Sequence, residues 1–177
     1  MAKSIAVSIG HQPSEGPAKV EEHFHASKVA TILYDFFLAK AFRTQLFEGS
    51  LVEKTQAINI FKADVAIEVH FNALEWPYNP ERYGSGYEAC INKGSIKGAY
   101  LAQCIIDEFY DKLPFDKRGT GIQEREDLWF VRKTKCPAII VEPLFLDNPL
   151  ESQYLKMSMG YATIARACYE GIVKFLI

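Results

Sequence analysis

Three polar residues stand at the ends of apolar runs, where a buried backbone has most to lose by placing them. His11 follows Gly10 after the run that begins the chain, His70 ends a second run, and Glu142 ends a third. A polar group taken out of water without a partner costs free energy, so each of these needs a partner or an opening. Where strands lie parallel in an open sheet, their carboxyl ends face the crevice in which ligands bind, and the three side chains would meet at one rim. A fourth residue follows from helical periodicity. Reading back along Phe36, Leu33, Val29 and Ala26, the next step of four lands on Glu22, which therefore continues the buried face. Glu21 is about 100° further round the helix and reads as a solvated first-turn acid. His23 and His25 are two apart and point to opposite sides, so both cannot share an ion with Glu22. His25, three after Glu22, is an alternative ligand or a partner of one, and the plainer reading, a helix-surface histidine, is preferred. Two neutral imidazoles and one carboxylate with an open position form a usual catalytic zinc set, which makes His11, Glu22 and His70 candidate Zn2+ ligands. Their separations, 11 residues and then 48, match no local rule such as H-E-x-x-H.

The elements that would position these residues alternate. Strand patterns at 4–9, 44–47, 64–70, 86–91 and 137–142, with a weak one at 128–131, are interleaved with helical patterns at 22–42, 52–61, 95–113 and 161–175. Such alternation predicts an α/β fold: a single open, largely parallel, twisted sheet with helices on both faces. Val65–Val69 and the run 138–141 are almost continuously apolar and should lie mid-sheet with both faces covered. In the last helix Tyr161, Ile164, Cys168, Ile172 and Phe175 trace one face, as a packing cover does.

The chain has 177 residues, with 49% hydrophobic and 24% charged, a composition that rules out disorder and suits one domain able to bury its own core. Any metal would therefore serve chemistry and not folding. A formal charge of −2 without a long basic run leaves no footprint for nucleic acid. The cysteines, Cys90, Cys104, Cys136 and Cys168, are at least 14 positions apart, form no C-x-x-C pair, and read as buried thiols. Nothing near the start resembles a signal-peptide core and no run approaches a membrane span, so the expectation is cytoplasmic synthesis and no stable membrane association. No linker or repeat interrupts the pattern, which predicts one catalytic domain over 1–177.

The string Ile9-Gly10-His11, then Glu22, then the run from Asp64 through Glu68-Val69-His70 to Phe71-Asn72-Ala73, resembles the zinc-dependent N-acetylmuramoyl-L-alanine amidases of the Amidase_3 type. Gly86-Tyr87-Glu88 is similar to the strand after that family's second histidine, and Arg118-Gly119 to its Arg-Gly loop. The run from Pro137 through Val141-Glu142-Pro143 to Asn148 is similar to its closing strand. The likeness runs in order over nearly the whole chain. It implies that His11, Glu22 and His70 hold Zn2+, that Glu142 is the catalytic acid/base, and that peptidoglycan is the substrate, cut between the lactyl group and L-alanine. The chain departs from the family after His11, where Gln12-Pro13-Ser14-Glu15-Gly16-Pro17 replaces a Gly-rich loop, and at the usual Arg before the His70 run, where Lys54 stands nearby. These departures bear on substrate contacts more than on the metal. The family's frequent wall-binding module is not expected here, and the protein is expected to be a monomer. A wall substrate combined with synthesis in the cytoplasm implies a release mechanism, either a permeabilising partner, as for a phage endolysin, or the breaking open of a mother cell; a compact chain without a wall-binding module favours the first. The aromatics between Leu74 and Tyr83 would form a loop beside His70, either along the substrate or capping the core. Asn72 and Asn148 read as asparagines satisfying loop turns.

Overall fold

The computed structural model describes residues 3–12, 15–79, 81–157 and 159–177. Its elements run β1 (Ser4–Ile9), α1 (Pro17–Ala39), β2 (Arg43–Phe47), α2 (Leu51–Phe61), β3 (Val65–Val69), β4 (Tyr87–Asn92), α3 (Ile96–Lys112), β5 (Lys117–Arg125), α4 (Trp129–Lys133), β6 (Ala138–Glu142), α5 (Pro149–Lys156) and α6 (Gly160–Leu176). The six strands form one sheet in the order β2-β1-β3-β6-β4-β5. The first four are parallel; β4 runs antiparallel to β6, and β5 is parallel to β4. The sheet is thus mixed and mostly parallel, with β3 and β6 at its centre as their apolar runs require.

Alternation along the strands divides the core in two. Ile5, Val7, Ile67, Val69, Ile139 and Val141 face α1, α3 and α6, which bury Val29, Leu33, Ile105, Phe109, Ile164 and Cys168 against them. Ala6, Ala66, Cys90 and Ile140 face the other way, onto Ile58 of α2 and Phe130 of α4. Helices therefore cover both faces, and the stripe read on the last helix is the one it buries.

Three details differ from the sequence pattern. Residues 128–131 do not form a strand: Leu128 is extended, and Trp129–Lys133 is a short helix that buries Phe130 and Val131. A run of four apolar residues carries no period of its own, and here packing against α2 and β6 decides in favour of helix. The first helix begins at Pro17, five residues before the patterned face, because a proline in the first turn gives up no intrahelical bond. It stops at Ala39, and Ala41 turns left-handed at φ 59°. Finally, β5 and α5 were not anticipated. The sheet's edge at β5 is largely exposed, and its register against β4 shifts around Gly119 and Gly121, both left-handed.

Candidate metal centre and active site

The chemistry-bearing strands β1, β3 and β6 are neighbours in space, and their carboxyl ends lie side by side. The ladder continues past them: Gly10 N–H donates to the Val69 carbonyl and His70 N–H to the Val141 carbonyl, each at 2.9 Å. Gly10 allows the close approach, because a Cβ there would sit 2.6 Å from that carbonyl oxygen and 2.8 Å from the His70 ring. His11 then turns back with a left-handed φ of 55°. Glu22 reaches the same rim from α1, on the buried face that also carries Ala26, Val29 and Leu33.

These residues converge. Glu22 Oε2 is 3.1 Å from His11 Nε2, and Glu22 Oε1 is 2.9 Å from His70 Nδ1. Phe71 N–H donates to the same Oε1 at 3.2 Å, and Lys19 Nζ to Oε2 at 3.0 Å. One donor atom from each of His11, Glu22 and His70 lies within 4.8 Å of the others, a group able to hold a metal ion. Burial pushes the Glu22 carboxyl up, but the hydrogen bonds and charges of His11 and His70 outweigh it and hold the group well below the usual carboxylate range. Burial likewise disfavours a charged His70, yet Glu22 and Glu68 on either side lift its pKa to about 10. Both shifts come from the same contacts between the imidazoles and the carboxylates that face them. Two imidazoles and a carboxylate with one side open to a cleft are a donor set suited to a divalent metal ion.

Glu142, the last residue of β6, lines the cavity of about 250 Å³ that also contains His11, Glu22, His70, Asn72 and Tyr78. Burial raises its carboxyl above the ordinary range; His70 opposes this, and Glu88 and Glu22 reinforce it. Glu88 is its register partner on β4. The Glu88 carboxylate accepts from Asn72 Nδ2 at 2.7 Å and from Arg118 at 3.2 Å, while the Arg118 guanidinium lies 5.1 Å from the centre of the Phe145 ring. Asn72 is therefore not a loop-turn asparagine; it steadies the acid beside Glu142. Asn148 does serve the local backbone, accepting from Leu150 N–H at 3.0 Å at the start of α5.

The neighbouring histidines have other tasks. His25 is buried and lies 2.7 Å from the Tyr161 hydroxyl, which corrects its reading as a surface residue. The extra depth comes from α6, which packs over that flank of α1. His23 Nδ1 is 3.1 Å from the carbonyl oxygens of both Gly10 and His11, so it props the turn that presents His11. Neither belongs to the converging group. The aromatic loop splits its roles, with Tyr78 packed on the core at the cavity wall and Trp76 and Tyr83 exposed. Pro13 and Ser14, in the unusual loop, and Pro80 lie outside the described residues.

Sequence reasoning missed the layer behind the histidines. Glu68, nearly fully buried in β3, lies 2.9 Å from His70 Nε2 and 2.6 Å from Lys54 Nζ. A carboxylate inside an otherwise apolar central strand was the available signal, since burial of that kind demands partners.

The result is an open α/β sheet in which His11, His70 and Glu142, at the ends of three neighbouring parallel strands, meet Glu22 from α1 in one cleft able to hold a metal ion. The family model described as N-acetylmuramoyl-L-alanine amidase, Amidase_3, matches residues 5–174, and the chain belongs to that family. An endolysin of Bacillus phage SPP1 is 28% identical over 133 aligned positions, covering 71% of this chain and 45% of the relative. The amidase CwlM of Bacillus licheniformis is 28% identical over 126 positions, 71% of this chain and 46% of the relative. The chain thus spans less than half the length of these curated relatives. Among solved structures, an N-acetylmuramoyl-L-alanine amidase from Clostridium difficile 630 has the same fold, with a TM-score of 0.83 at 22% identity over 99% of this chain and 97% of the other.

Proposed function

We propose that this chain hydrolyses the amide between the N-acetylmuramoyl lactyl group and L-alanine in peptidoglycan, with zinc held by His11, Glu22 and His70. The observation that carries the reading is the convergence of those three donors in the cavity that Glu142 also lines, in a chain of this family. Zinc bound there supplies Lewis acidity, lowering the pKa of water toward about 7 and polarising the amide carbonyl. The chain's own part falls to Glu142. Its carboxylate accepts the proton of the attacking water and returns it to the departing alanine nitrogen, so a carboxylate and a free amine leave as products. Burial, reinforced by the neighbouring Glu88 that Asn72 and Arg118 hold in place, raises the Glu142 carboxyl and favours the proton-carrying form needed for the second half of that transfer. Likeness to a phage endolysin supports a role in cell lysis. Incubation with purified peptidoglycan tests the proposal: new free amino groups on L-alanine are expected. Their absence, with about one zinc bound per chain, would move the substrate to another amide.

A further inference from the structure

We infer that Glu68 is a positioning residue that fixes the tautomer of His70, and that Lys54 holds Glu68 while tying together the two histidine-bearing strands; this rests on the zinc reading above. Glu68 is two residues before His70 and shares its side of β3. One carboxylate oxygen is 2.9 Å from His70 Nε2, and the other accepts from Ser8 Oγ at 2.8 Å and Lys54 Nζ at 2.6 Å. Lys54, from α2, also donates to the Ile9 carbonyl at 2.7 Å, at the last residue of β1 and two before His11. A single ammonium therefore binds the tail of β1 to the carboxylate behind His70.

The geometry divides the work of the imidazole. Nδ1 faces Glu22 and the point on which His11 Nε2 converges, whereas Nε2 faces Glu68. A carboxylate that accepts Nε2–H leaves the Nδ1 lone pair for the ion and sets the ring plane. His11 has a matching partner, with Nδ1 2.6 Å from Glu15, but the Glu15 side chain is 41% exposed and water competes for it. The Lys54 and Glu68 side chains are each 2% exposed. A buried ion pair is a poor source of stability compared with apolar residues of the same shape, so positional control is the better reason for one to interrupt a central strand.

Two measurements on zinc-loaded protein test this: the dissociation constant by competition with a chromophoric chelator, and the nitrogen resonances of the His70 ring, which show where its proton lies. In the wild type the proton is expected on Nε2 and the ion on Nδ1. Glu68→Gln and the apolar replacement Ser8→Ala/Lys54→Met/Glu68→Leu, which strands no charge, should each weaken zinc by about 10–100-fold. The apolar variant should show mixed tautomers while melting, without metal, close to the wild type. Zinc affinity within about twofold of wild type in Glu68→Gln, or coordination of wild-type His70 through Nε2, would overturn the inference. Glu68→Gln keeps the shape of the site and decides the matter if the apolar variant does not fold. A wild type that binds no zinc would instead overturn the metal reading itself.

Discussion

If Glu142 is the acid/base of the proposed reaction, its replacement separates chemistry from binding. Glu142→Gln keeps the shape and should keep the ion, while turnover falls by at least about a hundredfold, the scale of a lost general acid/base; zinc content and hydrolysis rate on one preparation check both halves. Because burial raises its carboxyl, the acid limb of the wild-type rate profile should lie above the pH of an ordinary carboxylate, near about 4.3. The sign follows from the role: the base works ionised, so a raised pKa moves the loss of activity upward in pH. A rate profile from pH 4 to 9 measures it, and the residual activity of Glu142→Gln should lack that limb. At the metal, His11→Ala, His70→Ala and Glu22→Ala should release the ion and Glu21→Ala should not. His23→Ala should weaken zinc less than His11→Ala does, through the turn it props. That His11, Glu22, His70 and Glu142 meet at one cavity was legible because each broke or extended a pattern: three strand ends and one helix stripe. Glu68, His23 and Glu15 were not, because what they do depends on which side chains meet across elements.

Among the elements, those with a clear period were readable and those defined by context were not. The two central strands and the last helix declare their burial by composition, whereas β5 carries Lys117, Arg118, Glu124 and Arg125 around two glycines and joins the sheet only because β4 offers an edge. The short helix α5 did have a signal, the Asn148-Pro149 start with Glu151 in its first turn. Asn148 caps that helix and its Nδ2 donates to the Gly84 carbonyl, so Asn148→Ala should cost about 1 kcal/mol in chemical unfolding. Between α3 and α6, Glu108 is bonded by Lys112 and Lys174. Burial raises its carboxyl, and the two ammonium groups more than reverse that, so its folded pKa lies below its unfolded one. The stabilisation is present above the unfolded value and lost as pH falls through the folded one. Glu108→Gln should therefore melt lower than wild type at pH 7, with the gap narrowing as the pH falls below the range in which an unfolded carboxylate ionises.

For the whole molecule, the two apolar layers are built without the rim. Chelation should abolish hydrolysis yet leave the far-ultraviolet circular dichroism nearly unchanged, since a chain of this length has enough core to fold without an ion. The bent outer strand bears on behaviour at high concentration. An outermost strand offers a free row of amide and carbonyl groups onto which a neighbouring molecule can stack. Here that row is kinked by Gly119 and Gly121 and lined with both signs of charge, so a straight partner strand meets neither its register nor an uncharged surface. Replacing Lys117 and Glu124 by valine would keep the kink and remove two of the charges. Growth of light scattering in that variant, at concentrations where the wild type stays clear, is the expected sign that the charges on this edge are what keep neighbouring copies from joining sheet to sheet.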